Sequence, residues 1–187
     1  MRDEKSEDGR GWARFALDGK HRYRLARSLG DEPLRFRRGR LCGERRVVFV
    51  MLNPSTADAF VVDPTIRRCV EFATGWGADI VEVVNLFAYR TPHPTALLRR
   101  RVRGDDARAD AELLAACLGA HRVIAAWGNH GDHPRLGGRA LAVTAMLRAA
   151  RVSLMCLETT LSGAPKHPHA RGSHRIPPDR KPIVWGV

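Results

Sequence analysis

The residues best suited to chemistry are polar side chains that follow the apolar runs of this sequence. Asn53 comes directly after the run at residues 47–52, Asn85 lies near the end of a second run, and His167 follows the last one. An amide donates and accepts hydrogen bonds at once, so it can bind the edge of a nucleobase or hold an attacking water. A histidine can stabilise a leaving anion. A single strand-terminal Asn is usually only a turn former, but the combination predicts a site.

The elements that must position these side chains are predicted from hydrophobic periodicity. Apolar runs predict strands over residues 47–52, 80–87, 123–127 and 152–157. Helical patterns lie between the strands, and Asp63-Pro64 is typical of a helix start. Strand–helix alternation repeated in this way predicts a parallel sheet covered by helices on both faces. Ligands of such sheets bind beyond the carboxyl ends of the strands, so we expect the segments after the four strands to meet at one site.

The expected fold class is α/β, a three-layer sandwich with a central four-stranded parallel sheet flanked by helices. Residues 1–13 are expected to form a flexible tail, and residues 14–187 a single α/β domain. Within that domain, short apolar and polar alternations around Gly30–Pro33 predict an N-terminal hairpin that carries many arginines.

The charge of the chain favours a polyanionic partner. The formal net charge is +12 and the pI about 10.8, and Lys and Arg that neutralise phosphates release counterions. We therefore expect a nucleic-acid partner, most simply DNA, with a solvated basic surface as the alternative.

Several function classes are disfavoured by missing motifs. Neither a phosphate-binding glycine loop nor the Gly-x-Ser-x-Gly elbow is present, and Ser55 is expected to be a turn serine. The cysteines form no Cys-x-x-Cys pair. His130 with His133 and His167 with His169 lack a third ligand, so we expect no metal and no cofactor. Without a signal peptide or a membrane-length apolar run, a cytoplasmic monomer that does not contact membranes is expected.

Four segments resemble a bacterial and phage family known as domain of unknown function 1643. They are Met51–Asp58, Asp63–Cys69, Val84–Ala88 and Ala126–Gly131, and the match covers about residues 21–185. This resemblance implies no activity.

The order of the motifs is also similar, more distantly, to the uracil-DNA glycosylase superfamily. Asn53-Pro54 ends the first strand, Asn85 precedes a basic loop with a proline, Trp127-Gly128 ends the third strand, and His167-Pro168 follows the fourth. The chain departs from the pattern at Met51, where a glycine is expected, and after Pro168, where a Ser-Pro pair is expected. The resemblance implies that Asn53 positions the hydrolytic water, Asn85 binds a flipped base and His167 stabilises the departing base.

These arguments predict a DNA glycosylase-like enzyme that hydrolyses the N-glycosidic bond of a damaged or modified base. The alternatives are a catalytically silent nucleic-acid-binding module and a hydrolase or transferase acting on free nucleotides. The candidate residues are, for catalysis, Asn53, Asp58 and His167; for base recognition, Asn85, Phe60, Asn129 and His130; and for the nucleic-acid backbone, Ser55, Thr56, Arg67, Arg68, Arg90 and Lys166, with the arginines of residues 99–103 in support.

Overall fold

The computed structural model describes residues 1–99, 107–136 and 138–186, and of Arg99 only the backbone. The strands are β1 (Arg2–Lys5), β2 (Gly11–Phe15), β3 (Arg22–Ser28), β4 (Arg35–Arg37), β5 (Arg40–Cys42), β6 (Arg46–Met51), β7 (Ile80–Asn85), β8 (Arg122–Ala125), β9 (Leu154–Cys156) and β10 (Ile183–Val184). The α-helices are α1 (Pro64–Gly75), α2 (Thr95–Arg99), α3 (Ala107–Cys117) and α4 (Arg139–Ala149). Short 3-10 helices occupy Asn129–Asp132, Pro134–Leu136 and Gly172–His174.

The main sheet is mixed and eight-stranded, in the order β1-β2-β3-β7-β6-β8-β9-β10. Its central strands β7, β6, β8 and β9 run parallel, whereas β1, β2 and β3 on one side and β10 on the other pair antiparallel. Strands β4 and β5 form a separate two-stranded sheet. The expected sandwich around a four-stranded parallel sheet is therefore wrong, because four further strands extend the sheet at both edges.

The N-terminal region belongs to the main sheet. Residues 16–21 turn the chain between β2 and β3, which then pairs with β7, so Gly30–Pro33 is not the hairpin turn that the sequence suggested. Residues 2–5, assigned by sequence to a tail, pair with β2 as strand β1.

Buried ion pairs explain why β3 was not expected in a core. Glu82 on β7 is fully buried, and its carboxylate accepts hydrogen bonds from Arg24 on β3 and Arg46 on β6, each at 2.6 Å. Charged side chains usually face solvent unless they are paired in this way. The alternating arginines of β3 are therefore partly internal residues.

Helices cover both faces of the central strands. On one face α1 packs Ile66, Cys69 and Phe72 against Phe49 of β6. On the other face α2, α3 and α4 bury Leu97, Leu113 and Leu147 in one core cluster with Val48 and Val84. This packing fixes the carboxyl ends of the parallel strands at one edge. Within the described part of the chain, no helix is both long and apolar enough to cross a membrane.

Candidate functional site

A cavity of about 1010 Å³ lies at the carboxyl ends of the four parallel strands. Its wall takes residues from the segment after each of β6, β7, β8 and β9, from the start of α1 and from the loop before Gly172–His174. The residues that line the cavity include Arg22, Met51, Asn53, Ser55, Asp63, Asn85, Trp127, Asn129, His130, Leu161, Lys166, His167, Arg171 and His174.

The cavity brings together about half of the candidates chosen from sequence. Those that line it are Asn53, Ser55, Asn85, Asn129, His130, Lys166 and His167. Those that do not are Asp58, Phe60, Thr56, Arg67, Arg68 and Arg90. Of the arginines at residues 99–103, the side chain of the first and the whole of the others lie outside the described residues.

Asn53 joins two of the loops that form the cavity. Its Nδ2 donates to the carbonyl oxygens of Pro54 at 2.9 Å and Thr91 at 2.8 Å, which ties the segment after β6 to the segment after β7. An amide NH₂ has two hydrogens, so both are engaged. The acceptor Oδ1 is the part of this side chain that remains for a ligand or a water.

Asn85 is a buried amide at the end of β7, 5% exposed. It lies beside Met51 of β6 in the parallel register. Its Oδ1 is buried without a hydrogen-bond partner among the residues described. A buried acceptor left unpaired costs about 1–3 kcal/mol, so the site is suited to a ligand that brings an N–H or O–H donor.

His167 is held as a neutral imidazole. Burial lowers its pKa to about 4, and the neighbouring His169 and His130 add to the shift, while Asp63 opposes it. The backbone N–H of His169 donates to Nδ1 of His167 at 3.2 Å. With Nδ1 acting as an acceptor, the ring proton is assigned to Nε2, which makes His167 a hydrogen-bond donor at neutral pH.

Three charged residues of the cavity, Asp63, Arg22 and Arg171, were missed by sequence reasoning. Asp63 caps α1, and its carboxylate accepts the N–H of Ile66 at 2.8 Å. The helix-start motif Asp63-Pro64 was the sequence signal for this residue. Arg22 is only 2% exposed, and one of its guanidinium nitrogens donates to the carbonyl of Ala57 at 2.6 Å. Burial lowers the pKa of Arg22 to about 10. No local signal distinguishes Arg22 from its neighbouring arginines.

The candidates outside the cavity have other contacts. Asp58 accepts the backbone N–H groups of Phe60 and Val61, each at 2.8 Å, which closes a turn. Phe60 is 60% exposed, away from any base bound in the cavity. Arg68 is buried and donates to the carbonyl of Ile176 at 2.7 Å.

Arg90 and Arg67, the remaining basic candidates, also stand apart from the lining. Arg90 lies over the ring of Phe15 and donates to the carbonyl of Gly19 at 3.3 Å. Arg67 is exposed on α1.

A tight turn after β9 forms the rim of the cavity. Residues 159–165 fold back on themselves, and Leu161 at the tip is fully exposed. The indole N–H of Trp185 donates to the carbonyl of Gly163 at 3.2 Å. The ring of Trp185 packs edge-on against that of Trp127, with the two ring centroids 5.1 Å apart. Trp185, directly after β10, therefore supports both the rim and one wall of the cavity.

The charged lining is predominantly basic. Arg22, Lys166 and Arg171 oppose Asp63, and Lys166 is paired with Glu158 at 2.6 Å. No cluster of three His, Cys, Asp or Glu suited to a metal ion occurs in the described ranges.

The model of the family described as a protein of unknown function, DUF1643, matches residues 22–169. The chain belongs to the DUF1643 family. The match includes β3 and every strand end that lines the cavity, whereas Arg171 and His174 of the lining lie beyond it. No curated protein and no solved structure matches the chain.

Proposed function

We propose that this DUF1643 protein is a DNA glycosylase-like enzyme that hydrolyses the N-glycosidic bond of a damaged or modified base. The observation that carries the proposal is that Asn53 and Asn85, from the ends of β6 and β7, and His167, from the loop after β9, line one cavity. The order of these motifs, similar to that of uracil-DNA glycosylases, supports the proposal. The cavity volume of about 1010 Å³ lies at the upper end of the range typical of small-molecule sites and leaves room for a flipped nucleotide.

Each of the three residues has a role that its surroundings allow. Oδ1 of Asn53 accepts a hydrogen bond from the attacking water and directs its oxygen toward the sugar. The unpaired Oδ1 of Asn85 accepts an N–H of the extruded base. Nε2–H of neutral His167 donates to an oxygen of the base as the glycosidic electron pair moves onto it. The sugar passes through an oxocarbenium-like state, so the water needs little activation, and fixed dipoles stabilise the developing charges. The water oxygen bonds to C1′ of the sugar as the C1′–N bond breaks, and the proton that the water loses passes to the departing base.

Asp58 has no place in this scheme. Its carboxylate closes a turn outside the cavity. The only acidic side chain lining the cavity in the described ranges is Asp63, which we therefore favour over Asp58 as a carboxylate near the sugar.

The enzymatic claim is tested by release of free base. Duplex and single-stranded oligonucleotides that each carry one deaminated, oxidised or hypermodified base are incubated with the protein, and the free base and the abasic site are measured. We expect release from at least one substrate, and a loss of about 100-fold or more in Asn85→Ala and His167→Gln, since each removes a contact to the reacting base. Release from none of the substrates would contradict the proposal.

A matched histidine controls for general effects of substitution. His121 is exposed and lies before β8, outside the cavity. His121→Gln should therefore leave base release unchanged, and an equal loss in both histidine variants would remove the argument for His167.

A nucleic-acid-binding module without turnover is the second candidate. The observation that favours it is that both Nδ2 hydrogens of Asn53 are bound to loop carbonyls, as a purely structural residue would be. Asn53→Ala separates the two candidates. In an enzyme, the variant binds DNA but loses turnover, whereas in a binding module the wild type releases no base to begin with.

A further inference from the structure

The side chain that the proposed chemistry does not use is the buried Arg22. It is 2% exposed, yet it lines the cavity. Its guanidinium makes one hydrogen bond, to the carbonyl of Ala57, and Nε has no partner among the described residues. No carboxylate in the described ranges forms an ion pair with it. A buried cation without a counterion is costly, by several kcal/mol for a fully desolvated charge.

The charges around Arg22 do not balance it. Two carboxylates, Asp63 and Asp58, act favourably on it at longer range, while Arg90 and Arg27 oppose it. Asp63 and Asp58 are each already engaged by backbone N–H groups. Arg22 therefore has two other cations as well as two carboxylates near it, and neither carboxylate forms an ion pair with it.

The rest of the cavity adds to this positive potential. Arg171 lies exposed at the rim without a partner in the part of the chain that the structure describes. Lys166 also lines the cavity, but its charge is paired with that of Glu158. The first turn of α1 also faces the cavity through Thr65 and Ile66, and a helix N-terminus favours negative charge.

We propose that the cavity holds an oxyanion of its ligand, a phosphate or a carboxylate, paired with the guanidinium of Arg22. The unpaired Oδ1 of Asn85 can accept a hydrogen bond from a donor on the same ligand. Two ligands that fit the proposed function have this combination: a nucleotide bound through its own phosphate, and a base bearing an acidic substituent. The inference does not depend on base release, because the oxyanion binds whether or not a glycosidic bond is broken.

The first test is calorimetric titration of the full chain with inorganic phosphate and with acetate, at constant ionic strength against a chloride control. We expect saturable binding of at least one of them, weakened about 30-fold or more in Arg22→Gln, as expected when one partner of a buried charge pair is removed. Arg67→Gln is the matched control, since Arg67 is exposed and outside the cavity. Absence of binding, or equal affinity in wild type and Arg22→Gln, would overturn the proposal.

Asp63→Asn provides a variant that should fold even if Arg22→Gln does not. Asparagine caps a helix as well as aspartate does, so α1 is retained while the opposing charge is removed. We expect phosphate or acetate to bind more tightly to Asp63→Asn than to the wild type. Unchanged or weaker binding would place the anion elsewhere and overturn the proposal.

The source of the oxyanion is decided by paired ligands. A deoxynucleoside is compared with its 5′-monophosphate, and cytosine with 5-carboxycytosine. A gain that depends on Arg22 in the first pair identifies a nucleotide phosphate, and one in the second pair identifies an acidic base. A gain in neither pair would overturn the proposal, while base release in the oligonucleotide assay would remain a separate result.

Discussion

At the scale of single residues, His167 is the side chain whose state depends most directly on its surroundings. Its pKa of about 4 lies below the ordinary value for histidine of about 6.5. The lowered pKa means that the unfolded chain binds a proton at His167 before the folded protein does. Stability is therefore unaffected above about pH 6.5 and is lost as the pH falls from there toward 4.

This linkage gives a measurable difference between the wild type and His167→Gln. Free energies of unfolding are measured by denaturant titration at pH 7, 6, 5 and 4.5. We expect the wild type to lose about 2 kcal/mol more than the variant across this range, from the size of the pKa shift. The remaining ionisable groups are common to the two proteins, so the difference between the two profiles reports on His167. Parallel pH profiles would show that His167 is not buried as a neutral group.

At the scale of elements, the buried ion pairs of Glu82 hold three strands together. Its carboxylate connects β3, β7 and β6 through Arg24 and Arg46. In Glu82→Gln the buried Arg46 loses the carboxylate with which it pairs, and Arg24 is left with its longer contact to Glu112, at 3.7 Å. Breaking a buried pair in this way costs about 3–5 kcal/mol. We expect the free energy of unfolding, measured by denaturant titration, to fall by that amount.

Glu32 provides the control for Glu82. It pairs with Arg35 at 3.1 Å, and both side chains are more than three-quarters exposed. Surface pairs of this kind contribute about 0–1 kcal/mol. If Glu32→Gln and Glu82→Gln were equally destabilising, the buried network would not be what holds β3 in the sheet.

The elements with uniform apolar sequence were predictable, and those with mixed sequence were not. The run from Val47 places β6, and Asp63-Pro64 places the start of α1. Strand β3 was assigned to an N-terminal hairpin from its short apolar and polar alternations, and nothing local shows that Arg24 will pair with Glu82 of β7. Ion pairs between residues far apart in sequence are tertiary information.

The site divides in the same way. Asn53, Asn85 and His167 were predictable because a parallel sheet places its strand ends at one edge. Arg22 comes from an antiparallel strand outside that pattern, and Asp58 lies close to Asn53 in sequence but points into a turn. Sequence proximity to a strand end is therefore a weaker guide than the topology of the sheet.

At the scale of the whole molecule, the net charge of +12 is larger than the positive charge that a polyanion would meet at the surface. Six arginines of the described residues are buried: Arg22, Arg24, Arg27, Arg46, Arg68 and Arg139. Internal arginines bind carboxylates and carbonyls of the protein itself, so only the exposed cations can neutralise phosphates.

The salt dependence of DNA binding measures how many of these exposed cations neutralise phosphates. If DNA binds across the cavity, log K should fall with log salt by about 0.9 for each phosphate neutralised. Arg171→Gln should reduce the slope by about 1, since Arg171 lines the cavity. Arg148→Gln, an exposed position on α4 away from the cavity, should leave it unchanged. A flat response in the wild type would favour a small ligand over a duplex.

The contact between Trp127 and Trp185 gives the protein a built-in optical signal. Trp127 forms part of the cavity wall, and Trp185 lies against it and holds the rim through Gly163. Indole emission depends on the polarity and packing around the ring, so a ligand that enters the cavity changes the fluorescence of this pair without any label. The same two rings that support the cavity thus make its occupancy visible in solution.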